Sequence, residues 1–143
     1  MNKPKVTMAE ISEAPNLQEL KDKFGVSEDD VIIAYGDTIY VKGKSLTADL
    51  LLHELVHCER QGFTKSGAQR WYAMYLRDEK FRLNEEIIAY HQQYDYCCKV
   101  YKDRNVRVRI LSRLAQQLAS SQYGKVIHHG EAMDRIKEGK LLT

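Results

Sequence analysis

No stretch of this chain is apolar for the roughly 18 residues a membrane-spanning helix needs, and its N-terminal MNKPKVTMAEISEAP has no apolar signal-peptide centre. A cytoplasmic protein with no membrane partner is therefore expected. Cysteine is sparse: Cys58, Cys97 and Cys98 make an odd number, with two adjacent and no C-x-x-C. That pattern argues against a disulfide framework and against a cysteine-anchored zinc finger, and favours buried free thiols. Proline is almost absent, and both copies fall in the first 15 residues. Repeats, low-complexity tracts and Gly/Ser linkers are missing, so the 143 residues read as one domain with one modest core, preceded by a loose arm over residues 1–15. No helix-turn-helix pattern is visible. Charge of one sign is scarce only locally: residues 99–143 hold ten Lys/Arg against four Asp/Glu, whereas residues 1–98 hold twelve against sixteen.

Against these absences one short stretch stands out. His53-Glu54-Leu55-Val56-His57 fits the pattern H-E-x-x-H. Residues four apart share a helix face, so both imidazoles can reach one metal ion. Neutral imidazole nitrogens suit zinc. Glu54, one residue past the first histidine, stands beside such a metal and can take a proton from a water the metal activates. Thr47 reads as the N-cap of this helix and Gly62 as its stop. At about 100° per residue, Leu51, Leu52, Leu55, Val56 and Cys58 share one arc and the histidines point the opposite way. Glu59 falls inside the apolar arc without an evident reason.

The rest of the chain reads as mostly helical with a small sheet before the motif, an α+β class. Asn16 to Phe24 suggests a short helix ended by Gly25. Val31–Tyr35 and Thr38–Val41 are apolar and β-branched, and Gly36-Asp37 between them signals a two-residue hairpin. Ala68 to Arg77 and Phe81 to Cys98 read as helices, the second with a stripe of Leu83, Ile87, Tyr90, Tyr94 and Cys97. Residues 105–121 are helical in composition, starting near Asp103. Gly130 to Glu138 completes the set.

Two histidines alone hold zinc weakly, so a third protein ligand is expected. HELVHCERQGFTKSG offers no third histidine, and the remaining ones are His91, His128 and His129. A following helix supplies Glu85 and Glu86 in LNEEIIAYHQQ. HELVH followed by E-x-x-A on a second helix resembles the gluzincin group of zinc metallopeptidases, which includes thermolysin. The resemblance is closer to small phage-encoded zinc metallopeptidases, through DTIYV (37–41), HELVHCERQ (53–61), YLRDEKFRLNEEIIAYHQQ (75–93) and YGKVIHHGEAMDRI (123–136), and covers residues 31 to 137. It implies a minimal zincin-like domain, one Zn2+, peptide-bond hydrolysis, a peptide or protein substrate, and the host cytoplasm as compartment. Thermolysin carries further tyrosine and histidine donors for the oxyanion in a domain that this chain is too short to contain. Tyr72, Tyr90, Tyr123, His128 and His129 are the candidates here.

Helical arithmetic chooses between the glutamates. With the 83–87–90–94–97 stripe as the buried direction, Glu86 lies about 60° from its centre and Glu85 about 160° away, on the solvent side. Glu86 is also the one in the E-x-x-A frame, with Ala89 three residues on. The expected site is therefore His53, His57 and Glu86 as zinc ligands with Glu54 as general base. Two other functions fit the residues: a non-catalytic zinc-stabilised binding protein, and a protease associated with nucleic acid through the basic C-terminal third. Only the catalytic reading requires Glu54.

Overall fold

The computed structural model describes residues 4–143. The chain is mostly helical with one small sheet, an α+β arrangement, and divides into two compact units, 4–77 and 78–143. No helix among the described residues is long and apolar enough to cross a membrane.

In the first unit, β2 (Ile33–Tyr35) and β3 (Thr38–Tyr40) form the expected hairpin, antiparallel with Tyr35 opposite Thr38. Gly36 has φ 68° while Asp37 keeps a negative φ. Positive φ at the first central residue alone is what a type II′ turn needs, and its twist matches that of the strands. A side chain at Gly36 would also lie 2.8 Å from the backbone of Thr64. Ala34 and Ile39, paired across the hairpin, share one face of the sheet, and Ile33 is buried on the other; all three are essentially inaccessible.

A third strand, β1 (Thr7–Ala9), lies parallel to β3 on its other side, giving the order β1-β3-β2. This corrects the loose arm expected over residues 1–15, of which residues 1–3 lie outside the described part. Thr7 N–H donates to the Asp37 carbonyl at 2.9 Å and Val41 N–H to the Ala9 carbonyl at 3.0 Å, so the ladder continues past both ends of the strand. Val6 and Met8 pack on the core cluster of Ala34, Ile39 and Cys58, while Thr7 between them is exposed. Ile11 and Ala14 are buried just after.

Helix α1 (Leu17–Phe24) buries Leu17, Leu20 and Phe24 and ends at Gly25. Helix α2 (Ala48–Arg60) carries the H-E-x-x-H stretch and packs on β2. Thr47 occupies its N-cap position, but its hydroxyl donates to Asp49 Oδ1 at 2.7 Å rather than accepting from the backbone. The other end closes as expected near Gly62: Phe63 N–H reaches the Cys58 carbonyl and Gly62 N–H that of Glu59, both at 2.9 Å, the paired bonds of a Schellman motif. Glu59 is exposed, although the apolar arc predicts otherwise. It sits in the last turn, where the chain is already leaving the core.

Helix α3 (Lys65–Arg77) begins three residues before the expected Ala68. Thr64 Oγ1 accepts from Gly67 N–H at 3.0 Å and settles the first turn. Gly67 is required by contact rather than by conformation, because a Cβ there would meet the Gln61 carbonyl oxygen at 1.8 Å.

The second unit is three mutually packed helices, α4 (Glu79–Val100), α5 (Arg104–Leu118) and α6 (His129–Glu138). Asp78 and Asp103 cap α4 and α5, accepting from Phe81 N–H at 3.0 Å and Asn105 N–H at 2.8 Å. Helix α5 ends at Leu118, earlier than expected, and a single 3-10 turn at Ser121–Tyr123 follows. Tyr90 and Tyr123 hydroxyls meet at 2.8 Å, and Arg82 Nε donates to the Tyr123 carbonyl at 3.0 Å.

Helix α4 departs from the amphipathic expectation. Leu83, Ile87, Tyr90 and Cys97 are buried as the stripe requires. So are Arg82, Glu85, Glu86, Ala89 and Gln93. On the helical wheel these extend the buried arc to about 200°, with an apolar half and a polar half. Glu85, expected on the solvent side, is 3% exposed. The error lies in taking the apolar stripe for the whole of the buried surface.

Candidate metal centre

The two histidines come from successive turns of α2, and both are buried along with Glu54 between them. Their rings lie 4.9 Å apart at 82°, edge to face. Helix α3 backs the second ring: the His57 and Trp71 centroids are 5.1 Å apart, and Trp71 in turn stacks on Tyr75 at 4.8 Å. An imidazole set against an indole has few rotamers left, so its position is fixed before any ligand arrives.

The histidine spacing continues one step further. Gln61, four residues past His57, is 3% exposed and spends both ends of its amide on the hairpin. Its Oε1 accepts from Gly36 N–H at 2.6 Å, and its Nε2 donates to the Ala34 carbonyl at 3.0 Å. The Tyr72 hydroxyl donates to that same carbonyl at 2.8 Å, and its ring stacks on Tyr35 at 5.7 Å. Burial first, and then the charge of Glu19, raises the Tyr35 phenol above its ordinary range. Residues from α2, β2 and α3 are thereby locked to one another around the histidine turn. Gln61 and Trp71 were not singled out from the sequence. For Gln61 a signal existed, since a polar residue four past the second histidine shares its face.

His53, His57 and Glu86 are all buried, each offers one ligand atom, and these atoms lie within 4.8 Å of one another. Three such donors are close enough to bind a metal ion. Around a zinc ion at about 2.0–2.2 Å, tetrahedral donor atoms are roughly 3.3–3.6 Å apart. Closing from the observed spread thus takes no more than about 1.5 Å of side-chain movement. Two imidazoles and a carboxylate are a donor set that zinc accepts. Glu54 is not a member of this group. Its Oε2 stands 4.0 Å from His53 Nε2, beside the donors.

Glu85 is buried next to Glu86 in sequence and does not join the cluster. The other histidines are employed elsewhere: His91 Nδ1 is 2.8 Å from the Ile136 carbonyl, His129 Nε2 is 3.0 Å from that of Ser112, and His128 is the exposed N-cap of α6. Among the five suggested oxyanion donors, Tyr72, Tyr90, Tyr123 and His129 thus all have contacts within their own units. None of the three cysteines is in a disulfide. Burial, and then the charges of Glu54 and Asp37, push the Cys58 thiol up to about 12, and Cys58 is not one of the three clustered donors.

No family model, no curated protein and no solved structure matches this chain.

Proposed function

We propose that this chain is a zinc-dependent metallopeptidase, with His53, His57 and Glu86 holding the metal and Glu54 acting as general base. The observation that carries the reading is the convergence of three buried donors within 4.8 Å, with a fourth buried group, the Glu54 carboxylate, beside them and outside the set. A metal site needed only for stability has no use for that fourth group. A zinc ion bound there supplies a polarised substrate carbonyl and a water acidic enough to attack it near neutral pH.

The chain's own residues do the rest. Glu54 receives the proton of the attacking water and returns it to the departing amine, so one carboxylate serves as base and then acid. The Trp71 backing and the Gln61 brace hold the imidazole turn still during that exchange. The substrate class is peptide or protein, in keeping with the resemblance of HELVH and the E-x-x-A frame to gluzincins.

The test is metal analysis of the purified protein together with a proteome-wide cleavage screen, the wild type beside Glu54→Gln. One zinc per chain in both proteins, with new termini only from the wild type, is the expected result. Metal-free protein, or cleavage that survives the substitution, refutes the reading.

A further inference from the structure

Helix α5 carries Arg104, Arg107, Arg109 and Arg113 and no acidic residue. Two of these arginines fall in its first turns, where the helix dipole disfavours positive charge. Arg109 and Arg113 are one turn apart on the same face, where like charges repel. Elsewhere in this unit two cations have carboxylate partners: Lys99 pairs with Asp95 at 3.3 Å and Arg135 with Glu131 at 2.9 Å. Among the described residues, none of the four α5 arginines lies within ion-pair distance of a carboxylate. Apart from the Asp103 cap, nothing on the helix offsets this charge, which leaves a basic surface open to an outside partner.

The arrangement also says what kind of partner. Ile110, Leu111, Leu114, Ala115 and Leu118 are buried against the neighbouring helices. The opposite stripe is Asn105, Arg109, Arg113 and Gln116, all exposed. It runs about 16 Å along the helix. An amphipathic membrane helix needs a continuous apolar outward face, and on α5 the exposed apolar residue is Val108 alone, outside this stripe. Two guanidinium forks between two amides are instead the side chains that grip phosphates and meet base edges. A second element reaches the same helix: His129 Nε2, 3.2 Å from Ser112 Oγ, ties the start of α6 to the middle of α5.

We infer that the outer face of α5, through Arg109 and Arg113 with Asn105 and Gln116, docks on the backbone of double-helical nucleic acid. This inference does not rest on the metal site. The experiment is fluorescence anisotropy of the full chain with a short labelled duplex DNA across a salt series. Two phosphate contacts predict a slope of log K against log salt of about −2. Arg109→Gln/Arg113→Gln reduces that slope by about 2, with an unchanged melting temperature because both side chains are exposed. Lys23→Gln/Lys44→Gln removes the same net charge from the other unit and leaves binding as it was. Glu54→Gln binds as the wild type does, whatever becomes of hydrolysis. Absence of binding at low salt overturns the inference. So does an equal loss from the lysine pair, or binding to phosphatidylserine vesicles or polyglutamate as tight as to DNA.

Discussion

Replacing Glu86 and Glu85 separately by alanine distinguishes a metal ligand from a buried structural carboxylate. Both are 3% exposed, so both substitutions are expected to lower the stability of the metal-free protein, by about 1–3 kcal/mol for a buried polar group that loses its environment. What separates them is the increment zinc adds. With free zinc at about 100 times its dissociation constant, binding stabilises the wild type by roughly 2.7 kcal/mol. Losing a ligand weakens affinity at least about tenfold. The same zinc concentration is then only about 10 times the new dissociation constant, and the increment falls to roughly 1.4 kcal/mol. Glu85→Ala keeps the full increment on a lower baseline, since it stands outside the 4.8 Å group. Urea unfolding in zinc buffer and in chelator measures baseline and increment independently. If Glu85→Ala halves the increment and Glu86→Ala preserves it, the assignment of the third ligand is wrong. No increment in the wild type removes the metal site altogether.

Glu54→Gln is expected to retain zinc and lose nearly all hydrolysis, because the amide keeps the shape but accepts no proton; matched metal content and activity assays check this, and equal activity refutes the base. Gln61→Leu orphans the buried Gly36 N–H and removes one of two donors to the Ala34 carbonyl, so a loss of about 1–3 kcal/mol is expected in denaturant unfolding. Tyr72→Phe leaves that carbonyl its bond from Gln61 and costs less, about 1 kcal/mol; the reverse order would show that Gln61 is not the brace. Gly67→Ala reverses the usual helix rule. Alanine gains about 1 kcal/mol of propensity over glycine inside a helix, yet here its Cβ would sit 1.8 Å from the Gln61 carbonyl oxygen. A net destabilisation on thermal unfolding is expected, and stabilisation would mean that α3 and the end of α2 are not in contact.

Local signals wrote most of the fold in legible form. The hairpin followed from Gly36-Asp37 because a two-residue turn fixes the register of both strands at once. The helix over 104–118 followed from its period and composition, and Asp103, near which it was expected to start, is the N-cap that the structure uses. Strand β1 was missed because its partner lies 31 residues away, and a parallel pairing leaves no turn to read. The clue was the alternation of Val6, Thr7 and Met8, too short to stand out. Helix α3 was begun late because Ser66 and Gly67 in its first turn have weak helical preference. Its first turn is held by the Thr64 hydroxyl and by close approach to Gln61, a contact the sequence does not display.

The misplacement of Glu85 has a more general cause. Amphipathic analysis equates buried with apolar, and that equation fails where chemistry is buried as well. On α4 the polar residues Arg82, Glu86 and Gln93, with the small Ala89, recur at spacings of three and four, the period of a buried face. On α2, His53, His57 and Gln61 recur at four, and all three are buried. Each helix therefore carries two periodic stripes, one apolar and one polar, of the same period and different phase. A polar stripe on a solvated face tolerates lysine and glutamate in any order. Neither stripe here contains a lysine. Each holds instead short or planar groups able to satisfy one another at close range: imidazole, amide, carboxylate and guanidinium. The two stripes together span about 160° of α4, and Glu85 lies about 40° beyond the polar edge of that arc rather than on the opposite side.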